Sequence, residues 1–130
     1  MRILFTLPPL ALAASLALTV PAHADPEYDK CVDKVSNNAD FAMCGGAMLD
    51  RREAELNRVW KEANKDLDPG VKQALLDEQR AWIAYKDKSC LTWTTGAFGR
   101  EGQVIHFYTC RADVIDARIA YLNDLGDESG

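Results

Sequence analysis

Histidine is almost missing from this chain, with only His23 and His106 among 130 residues, and cysteine occurs four times. The cysteines, at 31, 44, 90 and 110, lack the close pairs that zinc needs. A metal centre is therefore not expected, and no cofactor is implied. No nucleophile elbow, phosphate loop or zinc-protease helix motif is present. Gly96, Gly99 and Gly102 lack the preceding strand that a phosphate cradle requires, so they read as a turn. Strand alternation is nearly absent. So is any excess of positive charge: the formal net charge is −5, which speaks against a nucleic-acid partner. These gaps leave little room for an enzyme, and the expectation is a non-catalytic protein.

The first 24 residues have the layout of an export signal. Arg2 is followed by an apolar run over residues 3–20, then by Pro21-Ala22-His23-Ala24, with small residues where a signal peptidase reads. Cleavage is expected between Ala24 and Asp25. Pro8 and Pro9 interrupt the run and no basic cluster follows it, which argues against a transmembrane anchor. The first cysteine, Cys31, follows the charged stretch Glu27-Tyr28-Asp29-Lys30, so lipid attachment directly after the signal is not expected either. The signal holds one of the 15 basic residues and none of the 20 acidic ones, so the remaining residues 25–130 carry fourteen basic against twenty acidic residues, a net charge of −6. That surface disfavours anionic membrane and suits either plain solubility or a cationic partner. The location expected is the periplasm or the exterior.

An even number of cysteines in an exported chain implies two disulfides. Cys31–Cys44 and Cys90–Cys110 would each join neighbouring elements, although the sequence leaves the other two connectivities open. The apolar pattern is helical. Residues 40–67 carry Leu49, Leu56, Trp60, Ala63 and Leu67 in one stripe, with Arg51, Arg52, Glu55, Arg58 and Lys61 off it. Gly45 and Gly46 would each cost about 1 kcal/mol inside a helix, so the regular helix is expected after them. Asp68-Pro69-Gly70 is punctuation in which Asp68 caps the next helix and Pro69 opens it. A third segment runs from Val71 to about Trp93, and residues 94–102 read as a loop. The last helix is expected over residues 103–125, with Phe107, Cys110, Val114, Arg118 and Tyr121 or Leu122 on or beside one face and a frayed tail after it. A short helix near residues 26–35 precedes them all. The expected fold is all-α: a small bundle of three long helices plus a short N-terminal helix, stapled by two disulfides. The short connection at Asp68 should set its two helices antiparallel.

Chemistry-bearing residues are few. His106 is one residue near a helix start, more in keeping with a surface or packing role than with catalysis. Glu53 with Glu55, or Asp77 with Glu78, diverge on a helix surface and do not face one site. Trp60, Trp82 and Tyr85 sit at helical spacing, which favours packing over a sugar site.

A resemblance adds to this reading. Leu76, Gln79-Arg80-Ala81-Trp82, Ile83, Tyr85, Lys86-Asp87 and Cys90 resemble the hallmark of the lysozyme inhibitor LprI N-terminal-domain family. Upstream, Glu53, Leu56-Asn57 and Trp60 are similar to its acidic-x-x-Leu-Asn-x-x-aromatic motif. Downstream, Cys110, Arg118 and Leu122 are similar to its last helix, and Cys31 and Cys44 to its first two cysteines. The resemblance implies an exported protein that binds and blocks a lysozyme, or else an envelope or stress-associated interaction module with another partner. Arg80 and Arg118 are a candidate ligand-facing pair, with hydrogen bonds to helix ends or to carboxylates such as Asp87 the plainer expectation. The loop at residues 94–102, held between Cys90 and Cys110, is the candidate projection, and Arg100 within it is the candidate partner-binding residue.

Overall fold

The computed structural model describes residues 25–129. The expected signal segment, Ala24 included, lies outside the described residues. The elements are α1 (Pro26–Val32), α2 (Asn38–Ala63), α3 (Pro69–Lys88), two 3₁₀ turns (Leu91–Thr94 and Gly96–Phe98), a single turn α4 (Gly99–Glu101), a π turn (Gly102–His106) and α5 (Phe107–Ser129). Among the described residues there is no strand. Cys31–Cys44 and Cys90–Cys110 are the two disulfides.

Helix α2 and helix α5 form the most closely packed pair, and they run parallel. Gly45 meets Tyr108, Arg52 meets Asp116, and Val59 and Ala63 lie by Leu122 and Gly126, in rising order on both helices. Helix α3 is antiparallel to both, because Lys86 reaches Glu53 while Glu78 reaches Arg118. The core is Leu56, Val59, Ala63, Leu75, Ile115 and Leu122, with Leu49, Trp60, Leu67, Trp82, Ile119 and Leu125 packed against it. Each fully buried aliphatic side chain in it is worth about 2–3 kcal/mol.

Several boundaries differ from the sequence expectation. Helix α2 does not wait for its glycines. It starts at Asn38, capped by Asn37, whose side chain accepts from the Asp40 amide at 3.0 Å, and runs straight through Gly45 and Gly46. The reason is packing: a Cβ on Gly45 would lie 2.3 Å from Cγ of Tyr108, so only glycine lets α5 approach so closely. Asp68 stands at the start of α3, yet its side chain makes no capping bond; its backbone carbonyl accepts from Lys72 at 2.8 Å instead. The expected loop is a run of short helical turns, and the expected frayed tail continues α5 to Ser129.

The stripe read on α5 is also displaced. Its most buried residues are Ala112, Ile115, Arg118 and Leu122. Cys110, Val114, Arg118 and Tyr121 instead form the seam toward α3. The helix carries two faces, one for each neighbour.

Helix α1 buries none of its residues. Seven residues do not hold a helix in water, so its order comes from tethers. One is Cys31–Cys44. The other is Asp25, only 5 % exposed, which caps α1 by accepting from the amides of Glu27 (3.1 Å) and Tyr28 (2.9 Å). The same carboxylate accepts two 2.9 Å bonds from Arg51 of α2. Burial pushes the Asp25 carboxyl up, but the Tyr28 amide, the bond and charge of Arg51 and the charge of Arg52 outweigh it and hold it below the usual carboxylate range.

Candidate functional site

Residues 90–106 form a closed excursion between α3 and α5. Cys90 ends α3 in the left-handed region (φ 67°), the only non-glycine there among the described residues. That position after a helix usually falls to glycine. Here the side chain is required for the bond to Cys110 on α5. Arg111 reinforces the closure by donating from Nη2 to the carbonyls of Ser89 (2.8 Å) and Asp87 (3.3 Å), which fall at the otherwise unpaired end of α3.

The excursion is built around Trp93. Its ring lies 4.7 Å from the ring of Phe98 and 4.7 Å from that of His106. Gly102 is buried beneath them, and a Cβ there would come within 2.6 Å of Phe98 Cβ and 2.7 Å of the Trp93 carbonyl. The backbone hydrogen bonds are local, as in Trp93 to Cys90 and Phe98 to Thr95. The result is a stiff projection that leaves Leu91, Phe98 (45 % exposed) and Arg100 outside. Arg100 is aimed, not loose: its Nη1 donates to Gln103 Oε1 at 2.7 Å, and Gln103 Nε2 donates to the Thr94 carbonyl at 3.4 Å. A stiff tip with one aromatic ring and one guanidinium can enter a cleft at low cost in entropy. His106 sits 3.8 Å from Glu101 and packs on Trp93, so its observed role is packing.

The other candidates separate. Arg80 and Arg118 do not form a pair. Arg80 is exposed and bonds Asp77 at 3.4 Å within its own helix. Arg118 is only 6 % exposed; its Nε donates to Gln79 Oε1 at 2.8 Å and its Nη1 to Glu78. Asp87 is therefore not its partner. The Gln-Arg-x-Trp run thus has a structural logic, in which Gln79 and Trp82 receive the Arg118 side chain, the latter by a guanidinium–ring contact at 5.8 Å. The carboxylates considered for acid–base work each have a separate ion pair: Glu53 with Lys86, Glu55 with Arg58, Asp77 with Arg80 and Glu78 with Arg118. Asp25, read in the sequence only as the residue after a cleavage point, is a buried anchor. Its Asp-Pro step, the same cap signal as at Asp68-Pro69, was the available clue. Phe98 and Trp93 carried no periodic signal and were missed.

Among the described residues no group of histidine, cysteine, aspartate or glutamate is placed to hold a metal ion, and no helix is long and apolar enough to cross a membrane. The family described as Lysozyme inhibitor LprI matches residues 31–122. An uncharacterized protein of Rhizobium meliloti (strain 1021) is 29% identical over 128 residues, covering 88% of this chain and 91% of that protein. No solved structure matches the chain.

Proposed function

The chain belongs to the lysozyme inhibitor LprI family, and from that premise we propose that it is exported, loses residues 1–24, and binds a lysozyme so as to block its sugar cleft. The observation that carries the proposal is the projection at residues 90–106. It is closed covalently by Cys90–Cys110, stiffened by the Trp93 cluster, and tipped by Phe98 and Arg100. A guanidinium suits the carboxylates of a glycosidase cleft. The net charge of −6 on residues 25–130 favours encounter with a cationic enzyme and makes binding sensitive to salt. The protein acts by occupation and performs no reaction of its own.

The test is cell-wall lysis by lysozyme with increasing amounts of the protein beginning at Asp25, at low and moderate salt. Inhibition should weaken as salt rises. Arg100→Ala should reduce it with the helical circular dichroism unchanged. Absence of inhibition at micromolar excess against several lysozyme types would refute the proposal and favour an envelope interaction module with another partner. Intact mass of the exported protein checks the processing step.

A further inference from the structure

Helix α3 stands partly off the core: among its residues Leu75 alone is buried, and Trp82 lies half-buried at the core's edge. Between α3 and α5 this leaves a groove of about 370 Å³, lined by Trp82, Tyr85, Val114, Ala117, Arg118 and Tyr121, with Asp113 also on its wall. Core packing accounts for Trp82 but not for the two tyrosine rings, since Tyr85 is 60 % exposed and Tyr121 44 %. The groove shares no residue with the projection at residues 90–106.

The charges around it are already matched. Arg118 is bound by Glu78, and Lys86 by Glu53 at 2.6 Å. An ionic occupant would compete with these pairs, so a neutral one fits better. One polar group remains unmet. Arg118 is more than nine-tenths buried, and its Nη2 has no hydrogen-bond partner while Nε and Nη1 are both engaged. Buried donors without acceptors are uncommon in folded proteins. The groove therefore combines aromatic faces and a small apolar wall from Val114 and Ala117, and one of its lining residues, Arg118, holds a buried donor without an acceptor. A pyranose ring matches the first, because its C–H face is apolar and its edges are polar. An acetamido group matches the other two, with a methyl for the wall and a carbonyl oxygen for the donor.

We infer that the groove between α3 and α5 is a binding site for a neutral amino-sugar carrying an N-acetyl group. The ring rests on Tyr85, and the acetamido carbonyl accepts from Arg118 Nη2. Tyr121, whose ring covers that guanidinium at 4.9 Å, turns aside to admit it. Such side-chain turns are fast. This site is independent of the lysozyme reading, and either can fail alone.

The test titrates the protein beginning at Asp25 with the trimer of N-acetylglucosamine, with maltotriose as a control lacking acetamido groups, and follows tryptophan fluorescence and amide NMR shifts. A saturable response to the amino-sugar trimer is expected, with Kd of about 1 mM or tighter. Tyr85→Ala should weaken it by about tenfold or more, and so should Ala117→Phe, which fills the groove from an exposed helix position. Circular dichroism confirms folding of both; should Ala117→Phe not fold, Tyr85→Ala decides, because that side chain is largely exposed. No response up to about 10 mM, equal binding of maltotriose, or binding untouched by Tyr85→Ala would each overturn the assignment.

Discussion

Replacing Gly45 with alanine is expected to destabilise the domain, and the same change at its neighbour Gly46 to stabilise it. Both lie inside α2, where alanine is favoured over glycine by about 1 kcal/mol. At Gly46 a Cβ meets nothing within 4 Å, so that full gain should appear. At Gly45 the new Cβ would lie 2.3, 2.7 and 2.8 Å from Cγ, Cδ2 and Cβ of Tyr108. The tyrosine cannot clear this by moving only the far end of its ring, because its own Cβ is among the atoms struck. Either its rotamer or the α2–α5 spacing must change, and such overpacking costs about 1–3 kcal/mol. Set against the propensity gain, the upper part of that range leaves Gly45→Ala about 1–2 kcal/mol less stable than the natural protein. The two variants should thus differ by about 2–3 kcal/mol, or roughly 10 °C or more in Tm for a domain of this size. Urea unfolding followed by circular dichroism reads this as opposite shifts in midpoint at constant slope. Adding Tyr108→Ala to Gly45→Ala should give a favourable coupling. A Gly45→Ala protein as stable as the natural one would refute the close approach of α5 to α2.

Asp25 should make stability pH-dependent. Its carboxyl is held below the usual range in the fold, so its contribution is complete above the unfolded value near 4 and is lost as pH falls through the lower folded value. Asp25→Asn should therefore cost about 2 kcal/mol at neutral pH, less than for a fully buried pair because Arg51 can be solvated, and the gap should close in acid; a pH series of urea midpoints checks it. Cys31→Ala with Cys44→Ala should free α1, which has no buried residue, leaving its amides in fast hydrogen exchange while α2 and α5 stay protected. Removing Cys90–Cys110 should cost about 3 kcal/mol of unfolding free energy by the chain-entropy relation. Arg118→Lys should cost about 2 kcal/mol, since an ammonium cannot serve Gln79 and Glu78 with one planar fork; denaturant unfolding measures it.

The helical class and the α2 stripe were legible in the sequence because they rest on spacing along the chain, and the even cysteine count pointed to two disulfides, whose pairing between neighbouring elements the structure bears out. Leu49, Leu56, Trp60, Ala63 and Leu67 do all face or edge the core. What spacing could not show was which face of α5 meets which neighbour. Two stripes overlap on that helix, and a single periodic reading picked the one toward α3. The start of α2 was misplaced for a related reason, since the local cost of Gly45 was visible but the tyrosine 63 residues away that requires it was not.

The two Asp-Pro steps show where local reading ends. Asp25-Pro26 and Asp68-Pro69 carry the same signal, an acidic residue before a proline at the first helical position, and each stands before a helix. Only Asp25 makes the capping bond. Its carboxylate is fixed by Arg51, twenty-six residues on, so the orientation that serves the amides of α1 is also the one that pairs with α2. Asp68 is exposed and has no such partner among the described residues, and its carboxylate gains as much from water as from the helix end. The cap is thus a tertiary contact written in a local motif. If that is right, Arg51→Ala should loosen the Asp25 cap as well as the ion pair, which predicts lost protection at the amides of Glu27 and Tyr28 although neither touches Arg51 through its backbone. Hydrogen exchange at those two amides tests it. Unchanged protection would mean that the Asp25 cap stands without Arg51, and the contrast with Asp68 would need another cause.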